Sequence, residues 1–367
     1  MLTKLWLKNV KNIDEISLEI KPKTVYFICG ENNQGKSNFL DALMTGLTGS
    51  SVLTEIENMI CFDKNEAILG LDYEINCNKK RVYIKIENGK KTIYQINNVK
   101  NKNKEALTKQ FNSHYISADV IRIFQESPEQ RRKTLDQAIS ILEPNYKDKL
   151  ARYIAIMRHR NSILKLETTK KEDLIIWNQQ LIEYSFELMT MRKKYLNKFT
   201  QELIMLKKLF IDEKKTELKV RYNMKNMAPE ELMKSDYQSL LNQKLTANYQ
   251  KERILGYTST GIHRDDFEWL INNQSLFKVY SRGINRSFAI LFKVIVAKLN
   301  ENKKEQKPIF CLDDIFCELD MKRKKNIAAF IEKDSQVFYT STVSMEKKIF
   351  NKIIQLNIKK GKISNAS

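Results

Sequence analysis

Glycine is scarce and unevenly placed: there are ten in 367 residues, and none between Gly89 and Gly256. A stretch that long without glycine excludes a stack of short hairpins, whose tight turns need left-handed backbone. It favours long helices, in which glycine costs roughly 1 kcal/mol relative to alanine. The five cysteines, Cys29, Cys61, Cys77, Cys311 and Cys317, form no CxxC pair and no metal-binding spacing. Cys29, Cys311 and Cys317 lie in or beside apolar runs and read as small core residues of a reduced, cytoplasmic protein. No apolar run approaches the ~18 residues of a membrane span, and the opening MLTKLWLKNVKN lacks the apolar segment of a secretory signal. Acidic residues are in deficit, 44 against 64 Lys+Arg, for a formal net charge of +20. One reading of this excess is compositional bias, because Lys and Asn are both abundant. The other is a polyanionic partner whose counterions the basic groups would displace.

What is present divides the chain by pattern. Residues 2–29 are β-rich and end in the apolar run Val25-Tyr26-Phe27-Ile28-Cys29, which reads as a buried strand. A helix is expected from Ser37 to about Leu47, with Phe39, Leu40, Leu43 and Met44 on one face. Residues 68–96 alternate and carry Asn88-Gly89 between β-rich runs, a hairpin signal. Ser127-Pro128-Glu129-Gln130 opens a helical region as cap, first helical proline and capping-box partner. Within it Leu188, Met191, Tyr195, Phe199, Leu203, Leu206 and Phe210 recur at helical spacing, as in an amphipathic helix or coiled-coil arm. Residues 131–255 hold 26 basic and 16 acidic side chains, so about half the net charge lies in about a third of the chain. Strand patterns return after Gly256, at 267–271, 309–312 and 336–340, with an apolar helix at 288–299. The order implies an α/β domain interrupted by a long helical insertion: 1–126, 127–255 and 256–357, then a basic tail at 358–367.

Gly30-Glu31-Asn32-Asn33-Gln34-Gly35-Lys36-Ser37 fits G-x-x-x-x-G-K-[ST] and sits between a predicted strand and a predicted helix, the context of a P-loop. Its glycines let backbone N–H groups wrap a phosphate, and the following helix aims its positive end at the same anion. Lys36 would reach the β- and γ-phosphates, and the Ser37 hydroxyl would complete the shell of a Mg²⁺ ion. The matching carboxylates follow the apolar run Pro308 to Leu312. Asp313 is expected to hold Mg²⁺ and Asp314 to polarise the attacking water; the plain alternative is a solvated acidic loop. Lys36 and Asp313 are 277 positions apart, which fits an ATPase head split by the helical insertion.

These segments, in order, resemble the RecF family, the ABC-type ATPases of DNA replication and repair related to the heads of structural-maintenance-of-chromosomes (SMC) proteins and Rad50. The P-loop extends through Asn38 to the family's GENxQGK[ST]N. Gly256-Tyr257-Thr258 through Gly261-Ile262-His263-Arg264-Asp265-Asp266 is similar to GxTxxGPHRDD, with Ile262 in place of proline. Ser127-Pro128, Arg131-Arg132, Leu135-Asp136, Arg160-Asn161 and Leu164 resemble the entry to the family's helical lobe. Asp313-Asp314-Ile315-Phe316-Cys317-Glu318-Leu319-Asp320 resembles DDVxSELD. The family's signature loop S-x-G-Q-Q-R reads Ser281-Arg282-Gly283-Ile284-Asn285-Arg286, so both glutamines are replaced. One acid is also missing at Ser117-Ala118-Asp119-Val120-Ile121, where the family has S-P-E-D-L.

The resemblance implies an ABC-type head interrupted by a helical lobe, with ATP and Mg²⁺ as cofactors. Gly30 through Asn38 would bind ATP, Lys36 and Asp314 would be catalytic, and Ser37 and Asp313 would hold the metal. Ser281, Gly283 and Arg286 would reach the nucleotide of a second subunit, making the homodimer ATP-dependent. It further implies DNA as partner, single- and double-stranded, at gaps or junctions, in DNA repair, replication and the SOS response. Mediators of the RecO and RecR type and weak DNA-stimulated ATP hydrolysis complete the implied set. For His263 through Asp266 two readings stand, a functional site or a structural corner held by Arg–Asp pairing. Thr340-Ser341-Thr342 occupies the place of a switch residue. The alternatives are another SMC/Rad50-type ATPase or a degenerate, non-hydrolysing DNA-binding scaffold, the second favoured by the altered signature loop.

Overall fold

Strand-forming runs sort into three sheets in the computed structural model, which describes all residues except 76, 102, 126, 212–215, 226, 228–235, 305, 343–347 and 366–367. The chain divides into two units, Met1–Val120 with Arg286–Ser367, and Ile121–Asn285.

The first unit holds two six-stranded sheets. One is antiparallel, in the order β2-β1-β4-β5-β6-β7, from β1 (Leu2–Val10), β2 (Ile13–Glu19), β4 (Glu66–Ile75), β5 (Asn78–Glu87), β6 (Ile93–Ile96) and β7 (Val99–Asn101). The other runs β15-β14-β3-β13-β12-β8, from β3 (Val25–Cys29), β8 (Asn112–Ser117), β12 (Pro308–Asp313), β13 (Gln336–Ser341), β14 (Ile353–Lys359) and β15 (Lys362–Asn365). Its strands are parallel except for β15. Strands covered on both faces cannot alternate, which is why β3 and β12 appear in the sequence as unbroken apolar runs. Helix α1 (Lys36–Thr48) buries Phe39, Leu40, Leu43, Met44 and Leu47 in one apolar core shared with Leu5 and Leu7 of β1, Leu69 and Leu71 of β4, Ile28 of β3 and Phe338 of β13. The helix thereby fills the space between the faces of the two sheets.

Two expectations change here. The single hairpin expected over 68–96 is a three-strand meander. β5 and β6 do join through Asn88-Gly89, but β4 and β5 also pair, closing at Ile75 opposite Asn78 with Cys77 at φ 62°. The expected basic tail at 358–367 is paired structure as far as Asn365: β14 lies parallel to β3, and β15 folds back on β14.

The second unit contains α2 (Pro128–Leu142), α3 (Pro144–Leu164), α4 (Ile175–Met205), α5 (Tyr237–Ala247), α6 (Tyr249–Leu255) and a three-stranded sheet ordered β11-β10-β9. The sheet comprises β9 (Leu218–Asn223), β10 (Asp266–Ile271) and β11 (Gln274–Ser275). Ser127 Oγ accepts the Gln130 N–H at the start of α2, as a capping serine should. On α4, Leu188, Tyr195, Phe199 and Leu203 are buried, while Leu206 and Phe210 lie past its end. The helix is packed rather than a free arm: Trp269 of β10 donates its indole N–H to Thr200 of α4 at 2.9 Å. This unit is larger than the expected 127–255 insertion, because it also takes in the Gly256–Asp266 segment, β10, β11 and residues 281–285. Helix α7 (Arg282–Lys304) starts there and continues into the first unit, where α8 (Met321–Glu332) follows.

The segments matched at a distance in the sequence support one another inside this unit. Arg131 makes a two-pronged pair with Asp266, 2.9 and 2.6 Å, and Arg132 donates to the Asp265 carbonyl at 2.6 Å. Arg160 pairs with Glu252 at 2.7 Å and donates to Thr258 Oγ1 at 2.8 Å; Asn161 accepts the Thr258 N–H. Buried Arg192 grips both oxygens of Asp136 at 2.9 Å and donates to the Ile262 carbonyl at 2.7 Å. His263 Nε2 faces the Thr258 carbonyl, so that nitrogen carries the proton and Nδ1 accepts from Tyr153 at 2.6 Å. Burial pushes its pKa down to about 4, which keeps it neutral near pH 7. These bonds tie His263, Asp265 and Asp266 into the unit, as the corner reading expects. Arg192→Ala would leave Asp136 and a carbonyl without their cation, and we expect a loss of about 3–5 kcal/mol, read by chemical denaturation.

Candidate phosphate-binding site

The turn from β3 into α1 forms the site because three backbone demands coincide there. Gly35 has φ 107°, and a Cβ added to it would lie 2.6 Å from the Asn12 side chain. Asn33 also takes positive φ, 65°. With glycine in the cap position, no side chain caps α1, so its first N–H groups are directed at the loop and favour an anion. The Lys36 ammonium folds over the loop and donates to the carbonyls of Gly30 and Glu31, 2.7 Å each. Burial lowers its pKa, and the charges of Cys29, Asp313 and Asp314 oppose that shift.

The carboxylates arrive through sheet topology. β13 lies between β3 and β12, with Asp313 in register with Thr340, and Thr340 with Ile28. One cleft of about 240 Å³ is consequently lined by Asn32, Asn33, Gly35, Lys36, Ser37, Asn38, Asp313, Asp314, Thr340 and Thr342. The two ends of the proposed motif pair meet despite their separation in sequence. Asp313 is held on both sides: Tyr115 of β8 donates to one oxygen at 2.9 Å and Thr340 of β13 to the other at 2.6 Å. Asp314 turns out of the strand with φ 51°, its N–H bonded to the Thr340 carbonyl at 3.1 Å.

The donor set fits Mg²⁺. Among the described residues no group of three or more His, Cys, Asp or Glu could cage an ion. Mg²⁺ needs no such cage, because it takes one or two protein oxygens together with phosphate oxygens and water. Asp313 and Ser37, on the same cleft, can supply them.

The remaining predicted residues divide. Gln34 does not face the cleft: its side-chain oxygen accepts the Lys360 N–H at 2.8 Å. Asn38 donates to Asn12 at 2.9 Å. Ser281 precedes α7 and Gly283 lies in its first turn, with the Asn285 N–H bonded to the Ser281 carbonyl at 3.0 Å. Asn285 is buried and donates to the Tyr280 carbonyl at 3.2 Å. Arg286 is buried too, paired with Glu318 at 3.4 Å and bonded to Cys317, so its guanidinium is engaged within its own chain. Of the cysteines expected in the core, Cys311 is buried, whereas Cys29 and Cys317 are partly exposed. Sequence reading missed Tyr115 and Asn12, which no local motif announces, and the Lys360-Gly361 turn.

Comparison with known proteins gives a consistent result. Residues 1–365 match the RecF/RecN/SMC N terminal domain. The chain is 30% identical over 363 residues to the DNA replication and repair protein RecF of Clostridium acetobutylicum, with 98% of each chain covered. It is 31% identical over 353 residues to that of Caldanaerobacter subterraneus subsp. tengcongensis, covering 93% of this chain and 94% of the relative. Among solved structures, the recombination mediator protein RecF-ATP in the RecFOR pathway superposes with TM-score 0.78 and 26% identity, covering 100% of this chain and 99% of that one. An Smc head bound to the C-winged helix domain of ScpA shares the fold at TM-score 0.57 and 16% identity.

Proposed function

We propose, from the premise that the chain belongs to the RecF family of ABC-type ATPase heads, that it is an ATP-dependent DNA-binding protein of recombinational repair and replication restart. The observation that carries this reading is the cleft joining Lys36 and Ser37 to Asp313 and Asp314. The loop N–H groups and Lys36 would bind the phosphates, Ser37 and Asp313 would position Mg²⁺, and Asp314 would orient the attacking water. The bound metal supplies charge neutralisation at the phosphates. Ser281 and Gly283, at the start of a long helix, would offer a hydroxyl and N–H groups to the nucleotide of a second subunit. ATP would then form part of the dimer interface and stabilise the dimer by mass action.

DNA, at gaps or junctions, would be held through its phosphates by the basic surface of the dimer, and mediators of the RecO and RecR type would be its partners. Localisation follows as cytoplasmic. The test is DNA affinity with ATP present, measured across salt concentration. A phosphate-bound complex loses about tenfold or more between ~50 and ~200 mM salt. Absence of binding even at low salt would return the +20 charge to compositional bias. The engagement of Arg286 with Glu318 and Cys317 favours a second reading, a slow or non-hydrolysing DNA-binding scaffold. DNA-stimulated phosphate release by the purified chain separates the two.

A further inference from the structure

The C-terminal strand pair reaches back to the phosphate loop, 326 residues away in sequence. Its turn, between β14 and β15, makes two bonds to one loop residue. The Lys360 N–H donates to the Gln34 side-chain oxygen at 2.8 Å, and the Gly361 N–H donates to the Gln34 main-chain carbonyl at 3.1 Å. On the other side, Asn12, in the turn between β1 and β2, directs its amide at the same carbonyl at 3.4 Å and accepts from Asn38 at 2.9 Å.

Close packing surrounds these bonds. Gly361 has φ 73°, and a Cβ on it would lie 1.8 Å from the Asn12 carbonyl oxygen. A Cβ on Gly30, where the loop begins, would lie 2.5 Å from the Ile358 carbonyl of β14. The loop is therefore held at its first glycine by β14 and at Gln34 between two turns. Neither turn contributes to the lining of the phosphate cleft.

We propose that the β14–β15 turn is a positioning clamp for the phosphate loop, in which Lys360 and Gly361 fix Gln34 so that the N–H groups of Gly35, Lys36 and Ser37 are preorganised for a diphosphate. The inference rests on the nucleotide reading of the cleft. A loop with anion-facing N–H groups carries mutual repulsion among its dipoles, and anchoring its outer edge lowers the cost of holding it open. The clamp acts on the part of the loop common to ADP and ATP, so it should set affinity for both alike. A contact made only to the γ-phosphate would separate them.

The experiment is titration of fluorescent ATP and ADP analogues, with Mg²⁺, into the full-length wild type, Gln34→Met, Gly361→Ala and the double variant. Nucleotide-free thermal unfolding is followed alongside. Gln34→Met removes only a side-chain acceptor, and it decides the matter if Gly361→Ala fails to fold. The clamp predicts a roughly three- to tenfold loss of affinity for ATP and ADP in equal proportion, with the double variant no weaker than the weaker single one. Wild-type affinity retained in Gln34→Met, or a loss confined to ATP, overturns the clamp. A wild-type chain that binds neither nucleotide overturns the nucleotide reading and the clamp with it.

Discussion

Lys36→Ala should abolish ATP binding while leaving the fold in place. Among the described residues the ammonium is the one side-chain cation lining the cleft, and it is already anchored by two 2.7 Å bonds to the loop carbonyls of Gly30 and Glu31. Charge-assisted bonds contribute about 1.5–3 kcal/mol each, and a lysine spanning two phosphates makes more than one. The expected loss is therefore on the order of a hundredfold or more in affinity, measurable with a fluorescent nucleotide. Neither of the two bonds that the variant gives up is fully buried, since the one to Glu31 is exposed and the one to Gly30 half-buried, so the cost to the fold is small. The thermal transition of the nucleotide-free variant should stay close to that of the wild type. Loss of dimerisation with ATP should accompany loss of binding if, as proposed, the nucleotide forms part of the interface.

Asp314→Asn should do the opposite: keep nucleotide and lose turnover. Asp314 sits at φ 51°, a left-handed conformation that asparagine adopts as readily as aspartate, so the backbone has no reason to change. What would change, in the role proposed for Asp314, is the ability to orient a water and accept its proton. General-base assistance contributes typically 10²–10⁴ in rate, and phosphate release should fall by about that factor. ATP would then persist, and the ATP-bound dimer should accumulate on DNA. Equal phosphate release by variant and wild type would remove Asp314 from the mechanism. Asp313 is the wrong place for this test, because its carboxylate also holds Tyr115 and Thr340, so its loss would disturb three strands.

The parts of this account that were legible in the sequence are those whose physics is local. Gly30, Gly35, Lys36 and Ser37 could be read because strand, tight loop and helix start are consecutive, and the loop's chemistry dictates the residue types. Asp313-Asp314 could be read because a buried parallel strand appears as an unbroken apolar run. The glycine-free stretch indicated helices, and α3 and α4 within it are long. The missed elements depend on pairing between distant segments. Tyr115 reaches Asp313 only because β8 lies beside β12, and no spacing in the chain encodes that neighbour. Residues 358–365 looked like a charged tail because the lysines obscured an alternating strand, although Lys360-Gly361 is a turn signal with a left-handed glycine. His263 through Asp266 were ambiguous because an Arg–Asp pair looks the same in sequence whether it builds a corner or a site. Their partners Arg131, Arg132 and Tyr153 lie on helices more than a hundred residues earlier.

The most direct test of the central claim is the mass of the purified chain by light scattering, with Mg²⁺, in the absence of nucleotide, with ADP and with ATP. The account predicts a monomer of 43.3 kDa without nucleotide and with ADP, and a doubled mass with ATP that Lys36→Ala fails to reach. A mass that does not respond to ATP, whether monomeric or dimeric throughout, would contradict it.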